Sequence, residues 1–218
     1  MTDLTCTHPY EILLRAEELR PGSILYFSFS LTFLLTTCFM IGYRLLVKDK
    51  SIPKLLFFAS LFFYIINVIR LVFFPLPINM AYIDILRQKV QCGLMIGRRN
   101  NLELFDFMKW DNLTHITTVG NFLLLLPLGI YVPVLWSQKK WNLFKVAAVG
   151  FLVSLTIEST QLLYSFKIDY TYRSFDVDDL MLNTLGAATG YVIYLFFCLL
   201  LFLGKTIKKA VAKLGNLF

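Results

Sequence analysis

Charge is scarce in this chain of 218 residues: only 16% of positions are Asp, Glu, Lys or Arg, against about 25% in soluble domains. Histidine occurs twice, as His8 and His115, both near the outer surface, and no nucleophile–base set stands out. The four cysteines have no zinc or redox spacing, and no internal repeat or low-complexity segment is present. These absences, with the composition that accompanies them, set aside disorder, a disulfide-stapled secreted domain and a soluble α/β enzyme. What fills the chain instead is apolar: 57% hydrophobic residues, 21 of them Phe, and a mean hydropathy of +0.66. A water-soluble globule of this size has nowhere to put that surface. The composition predicts an all-α, polytopic membrane protein.

Five apolar stretches, 23–47, 53–74, 116–136, 142–166 and 180–203, reach the ~20 helical residues that cross a hydrocarbon core. They are too long and unbroken for buried strands. The formal net charge of +7 is dispersed along the chain and carries no recognition motif, so it argues for orientation and against nucleic-acid binding. Arg44, Lys48, Lys50 and Lys54 join spans 1 and 2; Lys139, Lys140 and Lys145 join spans 3 and 4; Lys205, Lys208, Lys209 and Lys213 follow span 5. The positive-inside rule then puts the N-terminus outside and the C-terminus in the cytoplasm. Of the 14 acidic residues only Asp49 falls on the inner side and Glu158 within a span. Segment 1–22 is net acidic and the following apolar run exceeds a signal-peptide core, so no cleaved signal peptide is expected. The organisation reads as an outer N-terminal segment 1–22, a membrane domain 23–203 and a basic amphipathic tail 204–218. In the tail, Ile207, Val211 and Leu214 form a stripe suited to the inner leaflet. The outer loop, 75–115, is too long for a simple connection. Its stretch 102–111, and residues 4–20, are expected to fold onto the outer face as amphipathic pieces.

Polar side chains inside spans are costly and each requires a reason. Arg70 lies near the end of span 2 and Asn121 near the start of span 3. Ser154, Glu158 and Gln161 recur on one face of span 4. Asp178, Asp179 and Asn183 open span 5. At the helical rise, Glu158 stands about 24 Å and Arg70 about 26 Å above the inner boundary. Asn121 and Asn183 enter from outside, so four spans bring polar groups to one outer depth. That coincidence predicts a polar pocket, with Arg70 the expected partner of Glu158. A structural ion pair, with the asparagines bonding helix to helix, is the competing reading.

Asp176, Asp178 and Asp179 place three carboxylates within four residues, beside Arg173. Capping the helix start explains one of them. A hard divalent cation is one use for the set, and pairing with Arg173 and Arg70 is the other. Gly186 and Gly190 form GxxxG, and Gly150 with Ser154 forms a second small-residue pair, both signs of close helix contact. Pro127 and Gly129 are expected to kink span 3. Cys6 and Cys92 both map outside, which leaves a disulfide between them open. Asn112–Thr114 is a glycosylation sequon that matters only in a pathway that glycosylates.

Together, Gly120-Asn121 with Pro127-Leu128-Gly129, Ser154, Glu158 and Gln161, and Arg173, Asp176, Asp178, Asp179, Asn183, Gly186 and Gly190 resemble the VanZ-like family of bacterial membrane proteins. Arg70 before Phe74-Pro75, and Asn101-Leu102, resemble its weaker upstream motifs. The likeness covers roughly 55–203. The proline that commonly follows Asn-Leu in the family is missing from Asn101-Leu102-Glu103-Leu104-Phe105. The resemblance implies a multi-pass protein of the bacterial cytoplasmic membrane, tied to low-level resistance to teicoplanin-type lipoglycopeptides, in a family whose reaction is not established.

Two functions follow as expectations. The first is binding of a lipid headgroup, cell-wall precursor or lipoglycopeptide by Arg70, Asn121, Glu158, Gln161, Arg173, Asp176, Asp178, Asp179 and Asn183. The second is an enzyme acting on an outer-leaflet lipid-linked substrate, with Glu158 as acid or base, Asp179 as a second catalytic candidate, and Asp176, Asp178 and Asp179 positioning substrate or a divalent ion. The partners expected are membrane lipids, and no cofactor beyond such an ion is implied.

Overall fold

The computed structural model describes residues 6, 8–48, 51–105, 108 and 115–215, with side chains through 208. Half of the amphipathic stretch expected at 102–111, the sequon, and the tail's Val211 and Leu214 side chains lie outside the described set. The chain is all-α, with a single pair of two-residue strands among the described residues. Five helical stretches there are long and apolar enough to cross a membrane: Phe29–Leu46, Ile52–Phe73, Ile116–Leu135, Leu143–Lys167 and Val177–Lys208. They match the five expected spans. The chain divides into two compact units, 1–102 with 157–176 and 103–156 with 177–218.

In the first unit, α1 (Pro9–Leu19) starts on a proline whose fixed φ suits a first turn. It buries Ile12 and Ala16 against Ile85 of α4 (Met80–Gln91). Cys6 and Cys92 form a disulfide, so the pairing left open by the sequence is made, and it ties the start of the chain to the end of α4. Strand β1 (Ile24–Leu25) pairs antiparallel with β2 (Leu76–Pro77). Between them run α2 (Phe29–Leu46), capped by Ser28, and α3 (Ile52–Phe73), held together by rings such as Phe39 on Phe62 at 4.5 Å. Helix α4 was not placed by sequence reasoning. At 12 residues it is too short to register as a span, and its signal is local: Asn79 caps it and Tyr82, Ile83 and Ile85 turn inward among Asp84, Arg87 and Lys89.

In the second unit, the third span is two helices, α5 (Ile116–Leu124) and α6 (Leu126–Leu135), interrupted at Leu125. Pro127 falls in the first turn of α6, where its missing N–H is tolerated, so the expected kink becomes a break just before the proline. Helix α7 (Leu143–Lys167) gives its first half to this unit and its second half to the other. Helix α8 (Val177–Gly215) continues without a break past Lys205 into the stretch read as a basic tail. Phe122 O and Leu126 O stand where a Cβ on Gly186 and Gly190 would lie, and a Cβ on Gly150 would come within 2.6 Å of Ala187 Cβ. GxxxG here permits backbone contact.

Candidate functional site

Helix α7 carries the polar face expected of it. Glu158 is 2% exposed, and Gln161 and Ser165, one and two turns on, are also buried. Each has a partner within the first unit. Glu158 Oε2 accepts the Asp176 N–H at 3.1 Å. Gln161 Nε2 donates to Val72 O at 2.9 Å, and Ser165 Oγ donates to Arg173 O at 3.2 Å. Arg173 in turn donates to Leu71 O at 3.3 Å and Phe74 O at 3.1 Å. Leu71 and Val72 belong to the last turn of α3, whose carbonyls have no helical N–H left to accept from. Gln161 and Arg173 therefore complete that helix end, and the guanidinium also suits its negative dipole.

Arg70 does not meet Glu158. Its Nε donates to Asn67 Oδ1 at 3.1 Å, and the guanidinium lies 5.2 Å from the Phe29 ring centroid. An asparagine one turn earlier on α3 and an aromatic face on α2 satisfy it locally, as snorkelling would allow.

The outer loop contributes a strip that sequence reasoning valued too little. Asn101 N–H donates to Phe175 O and Phe175 N–H to Asn100 Oδ1, both at 2.9 Å. Asn101 Nδ2 donates to Asp176 Oδ1 at 2.9 Å. This short parallel bridge joins Asn100 and Asn101 to the residues before α8 and, through the Asp176 amide, to Glu158. The Asn-Leu motif was the available signal, since an asparagine pair in a polar loop suits such bonding. Asn100 also lines a cavity of about 200 Å³ with Ser165, Asp169, Tyr170 and Thr171.

In the second unit the remaining candidates pair among themselves. Asn121 Nδ2 donates to Asp179 Oδ1. Asn183, 1% exposed, donates from Nδ2 to Ser154 Oγ at 2.9 Å, and its Oδ1 is buried without a partner. Asp178, 4% exposed, accepts the Phe105 N–H at 2.7 Å, at a residue whose backbone is left-handed (φ 70°). Each of the three aspartates accepts from a different amide donor, at Asn101, Phe105 and Asn121. Among the described residues no group of three His, Cys, Asp or Glu is placed to hold a metal ion.

Outside the spans, burial raises the hydroxyl pKa of Tyr170 and of Tyr172 above the usual 10.0. The Arg98 charge opposes this at Tyr170, and Arg173 and then Arg98 oppose it at Tyr172. Both tyrosines are neutral near pH 7 and available as hydrogen-bond donors.

No curated protein and no solved structure shows significant similarity to this chain. The family model described as VanZ/LLP1 matches residues 58–200, a segment that contains Arg70, Asn100, Asn101 and every carboxylate and amide of the α7 and α8 groups. This chain is a multi-pass membrane protein and belongs to the VanZ-like family.

Proposed function

We propose that this protein works in the bacterial cytoplasmic membrane, where it binds the headgroup of an outer-leaflet lipid, a cell-wall precursor or a lipoglycopeptide and lowers sensitivity to teicoplanin-type antibiotics. The observation that carries the reading is Glu158: a carboxylate 2% exposed on an apolar spanning helix, aligned by the Asp176 amide. Burying a carboxylate costs several kcal/mol of desolvation, which supports a role that uses its charge or its proton. The polar strip at Asn100 and Asn101 reaches the same carboxylate through Asp176 and offers donors and acceptors to a headgroup. The N-out orientation, inferred from the lysines and arginines of the connections, puts strip and carboxylate on the outer side.

A second reading draws on the same residue. A buried carboxylate is also what a general acid or base requires, so the chain as an enzyme acting on a lipid-linked substrate is the alternative.

One experiment separates the two. Lipid-linked precursors and wall polymers from matched bacteria carrying empty vector, wild type or Glu158→Gln, at equal membrane levels, are weighed by mass spectrometry, and antibiotic tolerance is measured alongside. Binding predicts unchanged masses with tolerance that falls in Glu158→Gln. A new mass seen only with wild type establishes the enzyme and names the group transferred. Equal tolerance in wild type and Glu158→Gln, with unchanged masses, removes both readings.

A further inference from the structure

Arg70 and Arg173, the arginines expected to meet an anion, are engaged by Asn67 and Phe29 and by α3 carbonyls. A different pair of arginines in the same unit is placed for that task. A cavity of about 270 Å³ is lined by Arg87, Gln91, Arg98, Asp169, Tyr170 and Thr171. Two local features build it. Asp169, in the left-handed region (φ 48°), ends α7 and turns 170–171 back against α4. Gly97 lets the chain after α4 approach, because a Cβ there would meet Val90 Cγ1 at 2.9 Å.

Arg87 is only partly answered. Its NH1 faces Asp84 at 3.1 Å and Asp169 at 4.0 Å, and its NH2 donates to Ile168 O at 3.1 Å. Its Nε–H is buried without an acceptor. The Arg98 guanidinium has no partner among the described residues, and its charge acts on the hydroxyls of both Tyr170 and Tyr172. The Tyr172 hydroxyl is likewise buried and unpartnered. The cavity sets two guanidinium groups against one carboxylate, Asp169, and an anion that accepts hydrogen bonds would pair the free one. Of the lining side chains, Arg87 and Arg98 against Asp169 leave one positive charge, which matches a singly charged anion.

We propose that the cavity between α4 and the 169–171 turn binds a phosphate group, with Arg98 as its principal charge and the Arg87 guanidinium beside it. This rests on the binding function proposed above and names the anion-reading residues for it. The phosphate belongs to a phospholipid headgroup or is taken up free, and the two sources are separable. Full-length protein is released from nanodiscs of equal phosphatidylglycerol and phosphatidylcholine and its retained lipids are counted by native mass spectrometry. In parallel, detergent-purified protein is melted in inorganic phosphate and in chloride at matched ionic strength.

For a headgroup site, wild type retains phosphatidylglycerol preferentially, Arg98→Gln loses about tenfold of that preference and Arg98→Lys keeps part of it. For a free-phosphate site, phosphate raises the wild-type melting temperature and Arg98→Gln abolishes the shift without preference between lipids. Tyr172→Phe, which removes an orphan hydroxyl without removing packing, checks that the fold tolerates change here. Wild type and Arg98→Gln alike in both assays overturn the proposal, whatever Tyr172→Phe does. The Glu158→Gln arm keeps the two proposals apart. Tolerance that depends on Glu158 alongside an inert Arg98 overturns this site and leaves the function standing. Arg98-dependent phosphate binding with Glu158-independent tolerance sinks the function and leaves the site.

Discussion

In the unit of 103–156 and 177–218, helices meet where side chains are missing; in the unit of 1–102 and 157–176, α7 and the turn after it meet the end of α3 through long polar side chains. Gly186 and Gly190 let α8 touch carbonyls of Phe122 and Leu126, and Gly129 sits against the Ala187 carbonyl. Across the other unit, Gln161 and Arg173 reach three carbonyls near the end of α3, and Tyr164 Oη donates to Pro77 O at 2.6 Å. One helix serves both arrangements: α7 offers Gly150 and Ser154 in its first half and Glu158, Gln161 and Ser165 in its second. Lipid supplies no hydrophobic drive between helices, so association rests on close packing or on interhelical hydrogen bonds. Each unit keeps a buried carboxylate and a cavity: Asp178 and a cavity of about 370 Å³ beside Lys139, Lys140 and Lys145 in the close-packed one, Glu158 and the cavities beside Asn100 and Arg98 in the hydrogen-bonded one.

The comparison is broken most severely at a glycine. Gly190→Leu forces a side chain into the Leu126 carbonyl and is expected to destabilise by about 3 kcal/mol or more, since backbone cannot yield as a flexible side chain can. Gly42→Leu, at a helix position with open space around its Cβ, is the matched control. Folded yield and thermal melting in detergent report both, and equal behaviour of the two would mean that the α5, α6 and α8 contacts are looser than drawn.

Next in size is the Cys6–Cys92 link, which closes a separation of 86 residues. Typical disulfides contribute about 2–4 kcal/mol, and the lower figure is expected here because α2 and α3, anchored as spans, already confine the loop before the bond forms. Cys6→Ser should lower the melting temperature while leaving α5 and α6 as protected from hydrogen exchange as before. Intact mass after alkylation without reductant tests the bond: the wild type should gain fewer alkyl groups than after reduction.

Gln161→Leu is expected to cost about 1–3 kcal/mol, because Val72 O is then left buried without its donor. Gln161→Glu should cost at least as much, by setting a carboxylate against a carbonyl. Glu158→Gln is predicted to be much milder, since its Oε1 still accepts the Asp176 N–H. Comparable losses at 158 and 161 would erase the distinction between a residue that holds the fold and one that serves the site.

How far the sequence led depended on the reach of each signal. Span length and the i, i+4, i+7 face of α7 are properties of one helix, and both appear in the structure as read. GxxxG also translates directly, because small residues at that spacing have few uses besides contact. Which partner each polar group chooses is a matter of three dimensions. Arg70 and Glu158 share a calculated depth, yet depth leaves the angle around each helix open, and Asn67 on the same helix was nearer. The three aspartates are adjacent in sequence, but successive residues at a helix start point in different directions, so they engaged three donors. Helix α4 and the Asn100–Asn101 strip sit in a long polar loop, where short amphipathic segments compete with irregular structure and periodicity is weak.

The smallest effect has the sharpest sign. Burial raises the Tyr170 and Tyr172 pKa values above 10.0 in the fold. Each neutral hydroxyl therefore contributes stability that is fully present below pH 10 and is lost as pH climbs from there through the folded value. Alkaline difference absorbance, wild type minus Tyr170→Phe, should show Tyr170 ionising above the usual tyrosine range. Because the Arg98 charge favours the phenolate, Arg98→Gln must push that midpoint higher still. A phosphate seated on Arg98 would act the same way by neutralising the guanidinium, so adding it to wild type should imitate the variant and adding it to Arg98→Gln should do little. If Arg98→Gln leaves the Tyr170 midpoint unchanged, the guanidinium does not face this hydroxyl, and the first unit loses the one arginine of its cavity that is unpaired.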